Sequence, residues 1–309
     1  MKFVVTGGIG FIGSNIVKHL LTQNHEVTVV DDFSRGRLEN LAGFEEQVHL
    51  QKLDILDFNS LKDAVNGSDG IFHQAALTSV PESFNEKTKY HNVNVVGTEN
   101  IFKLAKEFSI KVVYASSSSV YGHQDVVPIL ENFDKKPINP YGKTKLDDEV
   151  LAEKYAKQRV RIIGLRYFNI FGKGQTLEYA GVITKFLDRL RDKKSPIIFG
   201  TGSQIRDFIH VEDIAKANSL AMESDVSFTH VNIGTSNSIS ILELASQYLD
   251  FVTEMDSRDI ELAADYLVMA ATLAHIKSRM LIPQSEEEDE EMDPRSELIR
   301  RLQEYQRYK

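Results

Sequence analysis

Residues 1–32, MKFVVTGGIGFIGSNIVKHLLTQNHEVTVVDD, decide the fold of this chain. The stretch begins with a short apolar segment at 2–6, which is typical of a strand buried on both faces. A glycine turn follows, then a helical pattern over about 11–22 and a second apolar strand over 26–30. The glycines have the spacing G-x-x-G-x-x-G, at Gly7, Gly10 and Gly13.

Two acids, Asp31 and Asp32, end the second strand. A unit that binds a dinucleotide consists of a strand, a glycine turn, a helix and a second strand with an acid at its end. The glycines let the backbone approach the pyrophosphate, the helix N-terminus offers N–H groups, and Asp31 can accept from the adenosine ribose. An ordinary glycine turn is the alternative, but all four elements occur here in order. The predicted cofactor contacts of this unit are Gly7, Gly10, Phe11, Ile12, Gly13, Asp31 and Asp32.

Strand and helix patterns continue to alternate up to about residue 170. The predicted strands are 48–53, 70–73, 111–115 and 161–167, and the predicted helices are 60–65, 93–108 and 141–156. This alternation predicts the α/β class, with a doubly wound, Rossmann-like parallel sheet. Ligands of such sheets bind beyond the carboxyl ends of the strands.

Small or polar residues follow several predicted strand ends, where a dinucleotide would lie. Isolated residues of this kind are more often part of ordinary loops, but together they favour a binding site. Asp54 and Ile55 are placed to contact the adenine. The small side chains of a second loop leave room for the pyrophosphate and ribose. That loop contributes Gln74, Ala75 and Ala76.

Composition bounds the class of protein. The chain has 309 residues, a formal net charge of −9 and no cysteine. It can bury a large core, and it has no disulfide, thiolate metal site or cysteine nucleophile. The negative charge argues against non-specific nucleic-acid binding. No apolar run approaches the ~20 residues that span a bilayer, and the N-terminus reads as a core strand instead of a signal peptide. We therefore expect a cytoplasmic protein with no metal.

A phenol and an ammonium, Tyr141 and Lys145, lie four residues apart near a predicted helix start. At this spacing both side chains project from one face, and the lysine favours the phenolate, so that the tyrosine can act as a general base. Alone, Tyr-x-x-x-Lys usually marks an exposed helix face. The serine run 116–119 at a neighbouring strand end strengthens the functional interpretation, because a hydroxyl there can hydrogen-bond a sugar oxygen.

These motifs identify a resemblance. Residues 1–245 resemble an extended short-chain dehydrogenase/reductase of the nucleotide-sugar epimerase/dehydratase group, and most of all the UDP-glucose 4-epimerases. The motifs that carry it are TGGIGFIG at 6–13, VDDFSRG at 30–36, LDILD at 53–57, FHQAALTSVPES at 72–83, NVNVVGT at 92–98, YASSSSVYG at 114–122, NPYGKTK at 139–145, LRYFN at 165–169, IIFGTGSQIRDFIHVEDIA at 197–215 and VNIGT at 231–235.

The resemblance assigns roles by position. It implies that Tyr141 is the base, Lys145 its partner and Ser117 the serine on the substrate hydroxyl. It further implies that Asn94 and Phe168 contact the cofactor. The cofactor would be NAD, because an acid at Asp31 repels a 2′-phosphate. The implied substrate contacts are Ser117, Ser118, Asn169, Gln204 and Arg206, the last through bidentate bonds from its guanidinium to a diphosphate.

The implied reaction oxidises C4 of a UDP-sugar, rotates the ketose and returns the hydride to the opposite face. Related dehydratases carry Thr-Asp-Glu where this chain has Ser117-Ser118-Ser119. Expulsion of the sugar 6-hydroxyl needs a general acid, and serine is a poor one, so epimerase is preferred over dehydratase. Family members commonly form homodimers through two helices per subunit, which here are 93–108 and 141–156.

The last part of the chain has a different character. All 18 glycines lie at or before Gly234, and residues 246–309 hold 15 acidic and 8 basic residues. Helical patterns in this segment flank an acidic run at 285–293, which we interpret as a linker. The segment resembles part of the kleisin known as segregation and condensation protein A. It replaces the arm from which epimerases supply further nucleotide contacts.

Three regions follow from these observations. Residues 1–170 form the predicted NAD-binding domain, 171–245 a partial nucleotide-sugar-binding region that returns to the sheet, and 246–309 a helical kleisin-like appendage. We interpret the chain as a fusion joined near residue 245. The main hypothesis is an epimerase-type protein whose turnover is impaired by the replaced C-terminus. The alternative is a non-catalytic interaction protein whose tail binds a condensin-type partner.

Overall fold

The computed structural model describes residues 1–175, 181–192 and 194–255. They divide into two compact units. The first contains residues 1–175 and 207–236, and the second contains the described parts of 181–206 and 237–255. None of the described helices is long and apolar enough to cross a membrane.

A seven-stranded sheet forms the centre of the first unit. Its strands are β1 (Lys2–Thr6), β2 (Glu26–Asp31), β3 (Val48–Lys52), β4 (Gly70–His73), β5 (Lys111–Ser117), β6 (Ile162–Tyr167) and β9 (Phe228–Ile233). A smaller sheet contains β7 (Asn169–Phe171) and β8 (Ile205–His210). Strands are numbered in chain order, so β7 and β8 come between β6 and β9. The large sheet has the order β3-β2-β1-β4-β5-β6-β9, and every neighbouring pair is parallel. The predicted fold class is confirmed.

Helices cover both faces of this sheet, as parallel strands require. They are α1 (Phe11–Thr22), α2 (Phe58–Val65), α3 (Val80–Asn85), α4 (Lys87–Tyr90), α5 (Gly97–Phe108), α6 (Pro140–Ala156) and α8 (Val211–Glu223), while the second unit holds α7 (Val182–Arg191) and α9 (Ile241–Met255). Successive residues of β1 enter opposite cores: Val5 packs with α1 and α8, and Val4 packs with α2, α5 and α6. This two-sided burial explains the uniformly apolar strands.

The expected helix over 93–108 differs from the observed one. Residues His91–Val96 form a π-helical segment, and α5 begins at Gly97. A side chain at Gly97 would meet the Cδ1 atom of Ile55 at 2.4 Å, so the glycine lets the loop after β3 pack against this helix. The sequence pattern also missed α3 and α4. They are too short to show a helical period, although Ser79 caps α3 through a bond from the Glu82 N–H at 3.4 Å.

The remaining elements belong to the smaller sheet and to the second unit. Strands β7 and β8 pair in parallel, with Ile170 opposite Ile209. In the second unit, the Phe186 and Tyr248 rings meet edge to face at 5.8 Å. Helix α9 runs without a break through residue 245, where the sequence analysis places the junction. The predicted linker at 285–293 and the helical patterns on either side of it lie outside the described residues.

Candidate functional site

A cavity of about 330 Å³ opens at the carboxyl ends of the central strands of the first unit. Its wall combines the glycine turn, the loops after β2 and β4, the end of β5 and the start of α6. The lining residues are Gly7, Gly10, Phe11, Ile12, Gly13, Arg35, Asn40, Gln74, Ala76, Leu77, Thr78, Ala115, Ser116, Ser117, Tyr141, Lys145, Tyr167, Phe168, Ile170, Gly174 and Gln175.

The glycine turn has the geometry of a dinucleotide cradle. Gly7 has a φ of +66°, and a Cβ there would lie 2.8 Å from the Ala75 nitrogen. A Cβ on Gly13 would lie 2.1 Å from the Gly7 carbonyl oxygen, so α1 packs directly on the turn. No side chain caps the start of α1 at Gly10. Because the first N–H groups of a helix lack intrahelical partners, this end fits a pyrophosphate.

Asp31 holds the loop that follows β2. Its carboxylate accepts from the backbone N–H of Ile9 at 3.2 Å and of Phe33 at 3.0 Å. The side chain is only 6% exposed and does not reach the cavity wall described above. Burial raises the pKa of this carboxyl, and the two backbone bonds oppose the rise. Asp31 therefore fixes the loop after β2 against the glycine turn from behind the cavity wall.

Helix α6 presents the two residues of the Tyr-x-x-x-Lys motif to the cavity. Asn139 caps the helix, accepting from the Gly142 N–H at 2.7 Å, and Pro140 occupies its first turn. Tyr141 and Lys145 both line the cavity. The Lys145 ammonium is 3% exposed and lies 3.2 Å from an oxygen of Asp148, one turn further on. The capped helix thus holds both groups on a fixed backbone.

Ser117 completes the polar part of this wall. It ends β5, beside Tyr167 of β6 in the parallel register. Its hydroxyl accepts from the Ser119 N–H at 3.1 Å, and its side chain lines the cavity together with Tyr141 and Lys145. The structure therefore brings a phenol, an ammonium and a hydroxyl to one cavity, and the glycine turn lines the same space. Such a set can position an alcohol and remove its proton.

A buried polar chain lies behind the wall. The His73 ring is 2.7 Å from the Thr6 hydroxyl and 2.9 Å from the Thr98 hydroxyl, which donates to the Asn94 carbonyl. Burial, together with the charge of Lys145, lowers the pKa of His73 to about 3. The imidazole is therefore neutral and acts as a spacer between strands and helices.

Asn94 belongs to this supporting layer and does not line the cavity. Its amide group bonds the N–H and carbonyl of Leu77 at 2.8 and 3.0 Å and the Thr144 hydroxyl at 3.0 Å. These side-chain hydrogen bonds therefore tie the segment before α5 to the loop after β4 and to α6. The sequence analysis expected this side chain to approach the cofactor.

Several other predicted residues also lie away from the cavity wall. Those in the first unit are Asp32, Asp54, Ile55, Ala75, Ser118 and Asn169. Asp32 bonds the Ser34 N–H at 2.8 Å, Asp54 bonds the Leu56 N–H at 2.9 Å, and Asn169 donates to the Asp207 carbonyl at 2.9 Å. Gln204 and Arg206 belong to the second unit, where each donates to a nearby backbone carbonyl.

Ten residues of the cavity wall were not predicted as site residues from the sequence. The additional residues are Arg35, Asn40, Leu77, Thr78, Ala115, Ser116, Tyr167, Ile170, Gly174 and Gln175. Arg35 lies within the motif at 30–36, which could have indicated it. Asn40 gave no signal; it reaches the wall because its amide donates to the Ile9 carbonyl at 2.9 Å. Gly174 adopts a φ of +98° beside Asn40, a contact that only the folded chain reveals.

Comparison with known proteins agrees with this geometry. Residues 3–234 match the model of the NAD dependent epimerase/dehydratase family. A putative UDP-glucose 4-epimerase of Methanocaldococcus jannaschii is 39% identical over 251 residues, which are 78% of this chain and 79% of the relative. The chain belongs to the NAD-dependent epimerase/dehydratase family. The first resemblance found in the sequence is confirmed.

Members with other activities are also similar. A UDP-N-acetyl-alpha-D-glucosaminuronate decarboxylase of Bacillus cytotoxicus is 34% identical over 251 residues, covering 79% of this chain and 78% of the relative. Among solved structures, a UDP-N-acetylglucosamine 4-epimerase of Methanobrevibacter ruminantium in complex with UDP-N-acetylmuramic acid superposes with a TM-score of 0.78. It is 37% identical and covers 82% of each chain.

The C-terminal segment matches a second family. Residues 233–309 match the model of segregation and condensation protein ScpA, which confirms the second resemblance. The two family models meet at residues 233–234, at the end of β9. Helix α9 lies within the second match, and the rest of that match beyond residue 255 lies outside the described structure.

Proposed function

We propose that this protein is an NAD-dependent 4-epimerase of UDP-sugars that works by transient oxidation at C4. One observation carries the proposal: Tyr141, Lys145 and Ser117 line the same cavity as the glycine turn, and the helix that follows this turn has no side-chain cap at its start. The similarity to UDP-sugar epimerases supports this substrate class. The homodimer and the cytoplasmic location expected from the sequence remain predictions.

The cavity wall fits the cofactor. Gly7, Gly10 and Gly13 line the cavity, and the start of α1 has no side-chain cap, so its first N–H groups would be available to a pyrophosphate. Asp31 shapes the ribose end, and Phe168 lines the part of the cavity assigned to the nicotinamide. When bound, NAD⁺ supplies a reversible acceptor for hydride. Gln74 and Ala76 complete the proposed cofactor contacts on the loop after β4.

The residues of this chain would prepare the sugar for oxidation. Ser117 would hold the C4 hydroxyl, and Tyr141 would take its proton while Lys145 supports the negative charge on the phenol oxygen. Return of that proton from Tyr141 would complete the cycle. Because base and donor are one group, the same constellation serves both directions of an epimerisation.

A dehydratase is the second catalytic candidate. Elimination of the sugar 6-hydroxyl requires a general acid near the base, and dehydratases of this family carry an Asp-Glu pair at positions held here by Ser118 and Ser119. Serine hydroxyls are poor acids, so the chain favours epimerisation. Product analysis separates the two reactions, since a dehydratase releases a 4-keto-6-deoxy sugar.

The proposal is tested by measuring bound nicotinamide in the purified full chain and the interconversion of UDP-galactose and UDP-glucose by NMR. The same assay is run with UDP-N-acetylglucosamine. Tyr141→Phe should lower turnover by about 10²–10⁴-fold while the nicotinamide stays bound. Robust epimerisation by Tyr141→Phe, or a chain that binds no NAD, would contradict the proposal.

A matched pair of lysine variants isolates the motif. Lys145→Met should lower turnover, because the side chain lines the cavity. Lys143→Met changes the same charge on the same helix, but this lysine is exposed and pairs with Asp147. We expect little change in turnover from Lys143→Met. Equal losses from the two variants would contradict a specific role for Lys145.

The ScpA match supports a different candidate function for the C-terminal segment, namely binding of a condensin-type ATPase partner. A pull-down with such an ATPase head, compared between the full chain and a chain ending after α9, tests this candidate. Binding only by the full chain would support it. Equal binding, or none, would reject a role for residues beyond 255.

A further inference from the structure

Arg35 is a charged residue of the cavity wall that the proposed reaction does not use. It lies in the loop after β2. Its Nη2 atom lies 2.6 Å from both carboxylate oxygens of Glu82, which is on α3. The two side chains are 30% and 26% exposed, so the pair is partly open to solvent; of the two residues, Arg35 lines the cavity and Glu82 lies beside it.

Glu82 is itself held in place. The Tyr90 hydroxyl lies 3.2 Å from a Glu82 oxygen and 2.7 Å from the Ser79 carbonyl. The hydrogen bonds from Arg35 lower the pKa of the Glu82 carboxyl. Glu82 is therefore an anion at neutral pH, and it neutralises the guanidinium.

The position of Arg35 decides what this pair can do. A dinucleotide whose pyrophosphate rests on the glycine turn places its adenosine ribose at the tip of β2. Arg35 is four residues beyond Asp31 in that loop, and the Gly36 backbone packs close to the Asp31 carboxylate. In such units an acid selects NAD, whereas a nearby arginine accommodates the 2′-phosphate of NADP. This chain contains both kinds of residue.

We infer that Glu82 makes the cofactor site selective for NAD by occupying the Arg35 guanidinium, which would otherwise bind the 2′-phosphate of NADP. The inference rests on the proposed function, in which this cavity binds the dinucleotide. It assigns cofactor selectivity to a residue of α3 that is distant in sequence from the glycine turn.

Two physical terms support the inference. A guanidinium binds phosphate oxygens through paired N–H donors, and the Glu82 carboxylate competes for those donors. The same carboxylate would repel a phosphate dianion at short range. Asp31 contributes less to the selectivity for NAD than its position suggests, because it is buried and its oxygens accept from two backbone N–H groups. Selectivity should therefore depend more on Glu82 than on Asp31.

The test measures dissociation constants for NAD⁺ and NADP⁺ by calorimetry on the nucleotide-stripped full chain, at one fixed ionic strength. Glu82→Gln removes the charge and keeps the shape. It should tighten NADP⁺ binding at least about tenfold and change NAD⁺ binding less than about threefold. Adding Arg35→Met to Glu82→Gln should abolish the gain.

Glu86→Gln is the matched control, since Glu86 is an exposed acid that directly follows α3. It removes the same charge and should leave the NADP⁺ constant unchanged. A gain equal to that of Glu82→Gln would show a general charge effect and overturn the inference. Glu82→Ala provides a second variant without a hydrogen-bond acceptor, and thermal unfolding of each variant confirms that it is folded.

The remaining outcomes separate this inference from the proposed function. If the wild type binds NAD⁺ and Glu82→Gln gains no NADP⁺ affinity, the inference alone is wrong. If Arg35→Met weakens NAD⁺ binding more than about tenfold, Arg35 contacts a group common to both cofactors and the inference is again wrong. A wild-type chain that binds neither nucleotide would contradict the proposed function and the inference together.

Discussion

Asp148 and Glu149 are consecutive residues of α6, both fully buried, yet they occupy opposite environments. Asp148 lies 3.2 Å from the Lys145 ammonium, and its second oxygen has no hydrogen-bond partner in the described part of the chain. Glu149 accepts from Ser116 at 2.7 Å, from Arg166 at 2.8 and 2.9 Å and from Lys135 at 3.0 Å. One acid is sparsely satisfied and the other is surrounded by donors.

The two pKa values move in opposite directions as a result. Burial raises the pKa of Asp148 to about 7, although Lys145 favours the charged form. Burial also opposes the charged form of Glu149, but hydrogen bonds and charge from Arg166 and the Ser116 hydroxyl lower its pKa to about 2. Equal burial therefore does not fix the protonation state of an acid. The number of hydrogen-bond donors that face the acid decides the direction in which its pKa shifts.

This difference follows from helix geometry. Neighbouring helix positions point in directions about 100° apart, so Asp148 and Glu149 meet different elements. Asp148 is on the side of Lys145. Glu149 reaches the ends of β5 and β6, where Arg166 also donates to the Glu131 carbonyl at 3.1 Å and to the Tyr121 hydroxyl at 2.6 Å. The first environment serves the site, and the second anchors the helix that carries it.

Glu149→Ala should have the largest effect on stability. It leaves the Arg166 guanidinium buried without its carboxylate, which typically costs about 3–5 kcal/mol. Chemical denaturation of the variant measures the loss. Asp147→Ala is the control, because its exposed pair with Lys143 contributes no more than about 0.5 kcal/mol. Similar losses for the two variants would mean that the Glu149 network is not the anchor of α6.

Acid titration of stability should show the next largest effect. The folded pKa of Glu149 is about 2 and its ordinary value is 4.5, so its contribution is complete above pH 4.5 and disappears as pH falls toward 2. By linkage the contribution is roughly 3 kcal/mol. The difference in unfolding free energy between wild type and Glu149→Gln should therefore shrink across this window. A difference that is independent of pH would contradict the assigned charge state.

For Asp148, the free energy of unfolding should depend on pH with the opposite sign, and the Asp148→Asn variant tests this. The folded chain keeps the Asp148 proton up to pH about 7, whereas an unfolded aspartate releases it near 3.8, so wild-type stability falls as pH rises between these values. Asparagine does not ionise. The folded pKa already includes the favourable charge of Lys145, so linkage predicts that the variant gains on the order of a few kcal/mol relative to wild type as pH rises from 4 to 8. A variant that instead loses stability at pH 8 would show that the ion pair outweighs the burial.

Ser116→Ala should have the smallest effect of this series. It removes one of the four hydrogen bonds to Glu149 and leaves Arg166 and Lys135 in place. The expected loss is about 1.5 kcal/mol, the lower end for a hydrogen bond to a charged group, because three other bonds to the carboxylate remain. Denaturation at pH 7 measures the change, and Ser118→Ala serves as a nearby serine control. A loss as large as that of Glu149→Ala would mean that the serine, and not the arginine, organises the network.

Much of the fold followed from local pattern. Apolar runs predicted the inner strands β1, β2, β4, β5 and β6, because strands buried on both faces need apolar side chains throughout. The edge strand β3, VHLQK, was also predicted, although it is largely exposed. The short helices α3 and α4 carry too few residues to show a period. The π-helical segment before α5 also escaped prediction, because its geometry depends on the contacts of Asn94 with a distant loop.

The candidate site divides in the same way. Gly7, Gly13, Tyr141 and Lys145 could be located from spacing, because each spacing is set by the backbone of a single turn or helix. Arg35 is paired with a residue 47 positions further along the chain. No local pattern encodes such a pair. The pair forms because β2 and β4 flank β1 in the parallel sheet, so the segments that follow these two strands leave the same edge.

The sequence by itself determined the fold class, the family membership, the resemblance of the C-terminal segment to ScpA and the positions of Ser117, Tyr141 and Lys145 in the cavity wall, since these depend on short-range motifs and on the alternation of strand and helix. Only the tertiary structure decided how each charge is satisfied. It placed Asp31 behind the wall, paired Arg35 with Glu82, and shifted the pKa values of Asp148 and Glu149 in opposite directions. The physical reason is that a charge responds to every donor within a few ångströms, and most of those donors come from distant parts of the chain.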